Sequence, residues 1–325
     1  MMKKIFLTLF ALMLILVATF LTLYNENPKI GVYVYDMSDF YMINYIDHLS
    51  DELEGIGDIY IHDAKNSQIL QNEAILKQID KMDILVVNPV DRLSSYALIK
   101  LAKSKNKTII FINREPLATD LETYEKAYYI GSKAIQSAKY QAELIAELYG
   151  NNPNELNEVD ENNDNKIQIV IFKGQRGHQD AEDRTEYLQK FLIESGYDID
   201  IVDIKTADWN KQNSKRIMGE MLIEQTYVEV IACNNDYMAL GVVEAIDEFN
   251  SSNNSNIKIN IIGVDGMKEA ISAIKEGKMY GTVLNDSKLQ ANAVFNLLQD
   301  ELNNSSQVKN PKYIWIDYTR LNNKI

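Results

Sequence analysis

The sequence predicts an α/β protein of two doubly wound parallel-sheet lobes joined by a hinge, preceded by a separate apolar N-terminal segment. Three observations predict it. Short β-branched and aromatic runs alternate with amphipathic stretches of 10–17 residues, the signature of right-handed βαβ units and a parallel sheet. The units are too many for one small sheet, and the pattern restarts near residue 132. The length, 325 residues, exceeds one ordinary hydrophobic core and suits two domains.

The first 28 residues stand apart. Lys3 and Lys4 precede an uncharged run from Ile5 to Tyr24. At ~1.5 Å per residue such a run spans about 30 Å, a bilayer core, and the basic pair holds the amino end on the cytoplasmic side. The run is longer than the roughly 7–15 apolar residues of a signal peptide and ends at no A-x-A-like site. An anchor is therefore favoured over a cleaved signal peptide. Lipidation needs a cysteine just after the run, and the one cysteine is Cys233. In either case the body is expected outside the cytoplasm, in the periplasm or on the outer face of the membrane.

Strands are then predicted at 30–35 (IGVYVY), 58–63, 84–87 and 108–112, with helices at 39–53, 69–82 and 94–104. A seam falls near 113–132. The second set has helices at 132–148, 181–195, 211–225, 238–248, 267–276 and 286–302. Its strands are at 167–172, 199–204, 228–233, 257–264 and 282–284. The Asn-rich stretches 151–165, 250–256 and 303–310 lack apolar period and read as loops.

Composition narrows the function. The formal charge is −14, and about −16 without Lys3 and Lys4. A body this acidic is a poor partner for nucleic acid, which needs clustered Lys and Arg. A single cysteine forms no intrachain disulfide, and Cys233 lies in an apolar strand, as a core residue does. There is no G-x-x-x-x-G-K-[ST] loop and no G-x-S-x-G elbow. Gly55-Ile56-Gly57 lacks the third glycine of a dinucleotide fingerprint and precedes a strand instead of following one.

In open α/β sheets ligands sit beyond the carboxyl ends of the strands. Nearly every predicted strand end here carries a planar polar group or an aromatic ring. Asp39 and Tyr41 follow the first strand and Asn113 the fourth. His178, Asp180 and Arg184 lie in GQRGHQDAEDR after 167–172. Trp209, then Asn234, Asn235 and Asp236, then Asp265 and Asn285, follow later strands. Each alone has two readings, because Asp and Asn are also ordinary helix N-caps. Together they suit a neutral sugar. Planar donors and acceptors bridge adjacent hydroxyls, and aromatic rings cover the C–H faces of a pyranose. The basic excess expected for a phosphorylated ligand is missing.

With these residues in view, the chain resembles the galactose/glucose-binding proteins among the periplasmic sugar-binding proteins of bacterial ABC transporters. The resemblance covers nearly all of residues 29–325. It rests on IGVYVYDMSDFYM, FINREP, YEKAYYIG, KGQRGHQDAEDRT, CNNDYMALGVVEAI, IIGVDGMKEA and GTVLNDSKLQA. The pieces NND-x-M-A-x-G and G-V-D are shared with ribose-type binding proteins and repressors, so His178-Gln179-Asp180 with Arg184 discriminates best. The resemblance implies a periplasmic binding protein type I fold. Its N-terminal lobe would comprise 29–132 plus 284–311, and its C-terminal lobe 133–283 plus 312–325. It implies that Asp39, Asn113, His178, Asp180, Arg184, Asn235, Asp265 and Asn285 hydrogen-bond the sugar while Tyr41 and Trp209 sandwich its ring. The family has Phe where this chain has Tyr41, which adds a phenol near the pocket rim. A monomer is implied, delivering D-galactose or D-glucose to an ABC permease by hinge closure, with a chemoreceptor or sensor kinase as a further partner.

Asp160, Asn162, Asp164, Lys166 and Gln168 sit at alternate positions, the spacing of an EF-hand-like calcium loop in which the seventh position acts through its carbonyl. Position twelve, where a bidentate Glu belongs, is Ile171 in a strand. The resemblance supplies the missing ligand: the family takes it from a later strand, and the matching residue is Glu229. A structural calcium ion is implied.

Two other classes fit less well. A repressor of this fold needs a helix-turn-helix where the apolar segment stands. A sugar-converting enzyme could use His178 and Asp180 as acid and base, but no metal cluster or second carboxylate pair supports turnover.

Overall fold

The computed structural model describes residues 13, 27–303 and 310–323. The first lobe opens with β1 (Lys29–Val34), α1 (Phe40–Leu53), β2 (Asp58–Asp63), α2 (Gln68–Gln78), β3 (Ile84–Val87), α3 (Ser95–Ser104), β4 (Thr108–Ile112), α4 (Ala118–Leu121) and β5 (Ala127–Gly131). The second runs through α5 (Ala134–Leu148), β6 (Ile167–Lys173), α6 (Gln179–Glu194), β7 (Ile199–Thr206), α7 (Lys211–Ile223), β8 (Val230–Cys233), α8 (Asp236–Asn253), β9 (Asn260–Ile262), α9 (Lys268–Lys275) and β10 (Gly281–Leu284). The chain then returns to the first lobe with α10 (Ser287–Asn303) and β11 (Tyr313–Trp315), and ends in the second with β12 (Thr319–Asn322).

The sheets have the same plan. One is ordered β11-β5-β4-β3-β1-β2, the other β12-β10-β9-β8-β6-β7. In each, the first strand in sequence lies inside the sheet and the connections diverge on either side of it. That leaves a crevice at the carboxyl ends, where doubly wound sheets bind ligands. Helices cover both faces, so β3, β4, β5 and β8 are buried at every residue and read as continuous apolar runs. The buried side chains form four apolar clusters, one for each face of each sheet.

Helix starts prepare the site. Asp39 caps α1 by accepting from the backbone N–H groups of Tyr41 and Met42, while Met42, Tyr45, Ile46, Leu49 and Leu53 bury the same face. His178 caps α6 and Asn235 caps α8 in the same way. The capping and ligand-facing readings of these positions are therefore not alternatives.

Three expectations change, and a fourth is not reached: the apolar run 5–24 and the anchor read from it lie outside the described residues. Among the described residues, no helix is long and apolar enough to cross a membrane. The seam at 113–132 contains a fifth strand, β5, whose AYYIG carries a single β-branched residue and ends in glycine, unlike the branched runs of β3 and β4. Residues 313–315, placed above in the C-terminal lobe, pair with β5 in the first sheet, so the last crossing falls after Trp315. The second sheet is not wholly parallel, because β12 runs antiparallel to β10 at its edge.

Candidate functional site

All ten residues proposed from sequence to meet the sugar line one cleft between the lobes, joined by Tyr35. Asp39, Tyr41 and Asn113 come from the first lobe. His178, Asp180, Arg184, Trp209, Asn235 and Asp265 come from the second, and Asn285 lies on the segment that leaves β10 for α10. Little space is left between them, about 30 Å³, or roughly two or three waters. The jaws are drawn together and must part to admit a ring.

Three of these residues hold left-handed backbone: Asn113 (φ 59°), Trp209 (φ 60°) and Asp265 (φ 124°). Such conformations are costly for non-glycine residues and persist where the surroundings impose them. Trp209 is held by its neighbours. Its ring meets His178 edge to face at 5.3 Å and lies against Gly174, where a Cβ would stand 2.3 Å from the indole.

The hydrogen bonds decide what each group can still offer. Asn113 Oδ1 accepts from Asn88 Nδ2 (3.0 Å), Asn235 Oδ1 from the Met238 N–H (3.0 Å) and Asn285 Oδ1 from Gln290 Nε2 (2.7 Å). With the oxygens engaged, the three amides have chiefly N–H donors left. His178 Nδ1 accepts from the Asp180 N–H (3.2 Å), which makes Nε2 the protonated nitrogen and a further donor. Burial beside Arg114 and Arg184 holds this imidazole well below its usual pKa, so the ring is neutral.

The carboxylates of Asp39, Asp180 and Asp265 supply the acceptors. Burial raises the pKa of each, that of Asp265 well above the carboxylate range, and Arg184 opposes the rise at Asp180 and Asp265. Arg184 is fixed by donating to the Asn234 carbonyl (2.6 Å), the Tyr318 hydroxyl (3.0 Å) and Asp180 Oδ2 (3.4 Å). It lies 4.0 Å from Asp265. Donors and acceptors therefore face one small space from both lobes. That is what a ring of hydroxyls needs, since each hydroxyl both gives and takes a hydrogen bond.

Several supporting residues escaped the sequence reading. Tyr35 ends the first apolar run and reads as strand, yet its hydroxyl donates to Asp39. Gln290 is buried within α10 and donates to Tyr41, Ser132 and Asn285. That bond places the Tyr41 phenol inside the first lobe instead of at the rim, because a buried hydroxyl goes where it finds a partner. No sequence signal marks Gln290, which is one polar residue in an amphipathic helix.

The loop of alternate oxygens is also wound as a unit. Asp160 accepts from the N–H groups of Asp164 (3.3 Å) and Asn165 (2.9 Å), and Asp164 from those of Lys166 and Gln168 Nε2 (both 2.9 Å). Asn162 Oδ1 accepts from the Asp164 N–H (2.9 Å). Glu229, at the foot of β8, accepts from the Glu161 N–H (3.0 Å), which brings it to the loop, and from the hydroxyls of Tyr149 and Tyr227. Among the described residues, no three His, Cys, Asp or Glu side chains gather as a metal-holding group on their own. The donor set is mixed and all oxygen, as calcium takes it, and Gln168 Oε1 is buried without a partner.

A fold of two such lobes with a polar cleft between them defines a class, the periplasmic binding proteins. Residues 30–306 match the periplasmic binding protein domain family, and the chain belongs to it. It is 34% identical over 295 residues to the D-galactose/methyl-galactoside binding periplasmic protein MglB of Haemophilus influenzae, which covers 89% of this chain and 86% of that one. It is 26% identical over 246 residues to a putative rhizopine-binding protein of Rhizobium meliloti, covering 75% and 74%. Among solved structures the fold is shared with two ABC transporter solute binding proteins. One, from Actinobacillus succinogenes with bound D-allose, has a TM-score of 0.77 at 22% identity, covering 92% of this chain and 98% of that one. The other, from Bacillus halodurans with bound myo-inositol, has a TM-score of 0.77 at 24% identity, covering 92% and 96%.

Proposed function

We propose that this chain is an extracytoplasmic binding protein for a neutral hexose, D-galactose or D-glucose, which it carries to an ABC permease. The observation that supports this most is the cleft itself: carboxylates, amides, a neutral imidazole and an indole, drawn from both lobes and matched in donor and acceptor sense to a ring of hydroxyls. The similarity to a galactose-binding relative supports the choice of hexose. Ring and hydroxyl contacts on both jaws favour the closed state when sugar is bound, and the closed surface is what a permease, or a chemoreceptor or sensor kinase at the same membrane face, would recognise. Nothing in this role requires turnover; family membership agrees with a binding protein.

The calcium site belongs to the same proposal. Asp160, Asn162, Asp164, the Lys166 carbonyl, Gln168 and Glu229 would hold the ion. Its charge would tie the loop before β6 to the foot of β8.

Calorimetry with a monosaccharide panel tests the sugar assignment. D-Galactose or D-glucose should bind, and Trp209→Ala should weaken that binding by tenfold or more while the protein stays folded. Binding confined to pentoses, or near-wild-type affinity in Trp209→Ala, would falsify the reading.

A further inference from the structure

The last passage of the chain between the lobes, residues 316–318, is stitched to the first passage. The Ile316 N–H donates to the Gly131 carbonyl (2.9 Å) at the end of β5. Gln136, in the first turn of α5, donates from Nε2 to Asp317 Oδ1 (3.0 Å) and accepts from the Tyr318 N–H (3.0 Å). The backbone of Tyr318 is therefore held on α5. Its ring is buried among apolar residues of the second lobe, and its hydroxyl lies 3.0 Å from Arg184 Nη2.

That hydroxyl bears on where Arg184 points. A guanidinium carries its N–H donors in one rigid plane, so fixing two of its nitrogens fixes the third. Nη1 donates to the Asn234 carbonyl, Nη2 to both Asp180 and Tyr318, and the buried Nε has no acceptor. Asp265, a proposed acceptor for the sugar, stands 4.0 Å from Nη1, beyond hydrogen-bond distance. Removing the phenol would strip a second buried nitrogen of an acceptor, which is unfavourable. The carboxylate next in reach is Asp265. A guanidinium closed on Asp265 would take up an oxygen that the ring needs.

We propose that Tyr318, which does not line the cleft, is a positioning residue for the sugar site. Its hydroxyl holds Arg184 off Asp265 and leaves both groups free for the same part of the ring. Its backbone fastens that pair to the passage at which the lobes hinge, so the pair is set for the sugar when this passage has its closed geometry. The inference rests on the hexose reading above.

The test is calorimetry on the full chain, wild type against Tyr318→Phe, which removes the hydroxyl and keeps the ring. The probes are galactose, glucose and analogues of the better ligand that each lack one oxygen: the monodeoxy sugars, the anhydro sugar and the carba-sugar. Tyr318→Phe should weaken hexose binding roughly five- to thirtyfold. The loss should shrink to within about twofold for the one or two analogues lacking the oxygen that Arg184 and Asp265 serve. Gln136→Ala, which frees the backbone of Tyr318 and touches no cleft residue, should give the same pattern at threefold or more; it carries the test alone if Tyr318→Phe does not fold. An equal loss on every analogue makes Tyr318 a packing residue and overturns the proposal. Wild-type affinity in either folded variant overturns it too and leaves the hexose reading standing. Wild-type protein that binds no hexose overturns both.

Discussion

The indole of Trp209 lies so close to Gly174 that a Cβ on the glycine would fall 2.3 Å from the ring. The glycine ends the β6 connection opposite the Ala207–Trp209 turn, and its N–H donates to Asn234 Oδ1 (3.1 Å). A stiff two-ring side chain cannot absorb such an overlap by rotating one bond. Gly174→Ala should therefore displace Trp209, costing about 1–3 kcal/mol of stability and weakening sugar affinity by tenfold or more. Melting curves and calorimetry on the variant check both. An unchanged affinity would mean that the indole does not contact the ligand.

A second aromatic pair spans the lobes. Phe40, at the start of α1, stacks on Tyr237, at the start of α8, with centroids 5.7 Å apart and planes inclined by 14°. Phe40 also packs on the second lobe's core. Neither ring lines the cleft, so the pair acts on closure alone. Phe40→Ala should shift the free protein toward open forms and weaken apparent affinity roughly three- to tenfold. Small-angle scattering should show a larger radius of gyration without sugar and the wild-type value at saturation. Equal radii without sugar would remove the latch.

Acid should favour the fold through Asp236. This residue is fully buried, accepts from the Thr282 hydroxyl (2.6 Å) and the Met267 N–H (2.8 Å), and burial lifts its pKa from 3.8 to about 6. Between those values the folded state binds more protons than the unfolded chain. The stabilisation is thus complete below about pH 4 and lost as pH rises through about 6. Relative to Asp236→Asn, the wild type should lose roughly 3 kcal/mol across that window. Thermal melts of both proteins from pH 4 to 7 read the difference directly, and parallel curves would contradict it.

Calcium should raise the melting temperature of the sugar-free protein by several degrees at saturating concentration, and a chelator should reverse the rise. Asp164→Ala should be indifferent to both. If the protein as purified carries no calcium by elemental analysis and added calcium leaves the melt in place, the loop holds no ion.

Much of this was legible in the sequence, for definite reasons. Buried parallel strands are apolar throughout, so β3, β4 and β8 announce themselves, and the rule that ligands lie beyond their carboxyl ends points to Asn113, His178, Asn235 and Asp265. What stayed hidden was short or indirect. β5 (AYYIG) has one β-branched residue, and β11 (YIW) and β12 (TRLN) are edge strands that are not fully buried, so none reads as the branched apolar run of a central strand. Tyr35 looks like the last residue of a strand, and Gln290 looks like a polar residue of a helix. Their roles arise only when distant segments meet.

The chain passes between the lobes three times, after β5, after β10 and after β11. The first lobe is therefore completed by segments made after most of the second lobe: α10 lies against α1, and β11 covers the open edge of β5. Until those residues emerge, β5 presents an unpaired edge and the α1 face of its core lacks a cover. Neither lobe can mature as an independent unit in order of synthesis. Completion of the first lobe must wait until most of the second has been made.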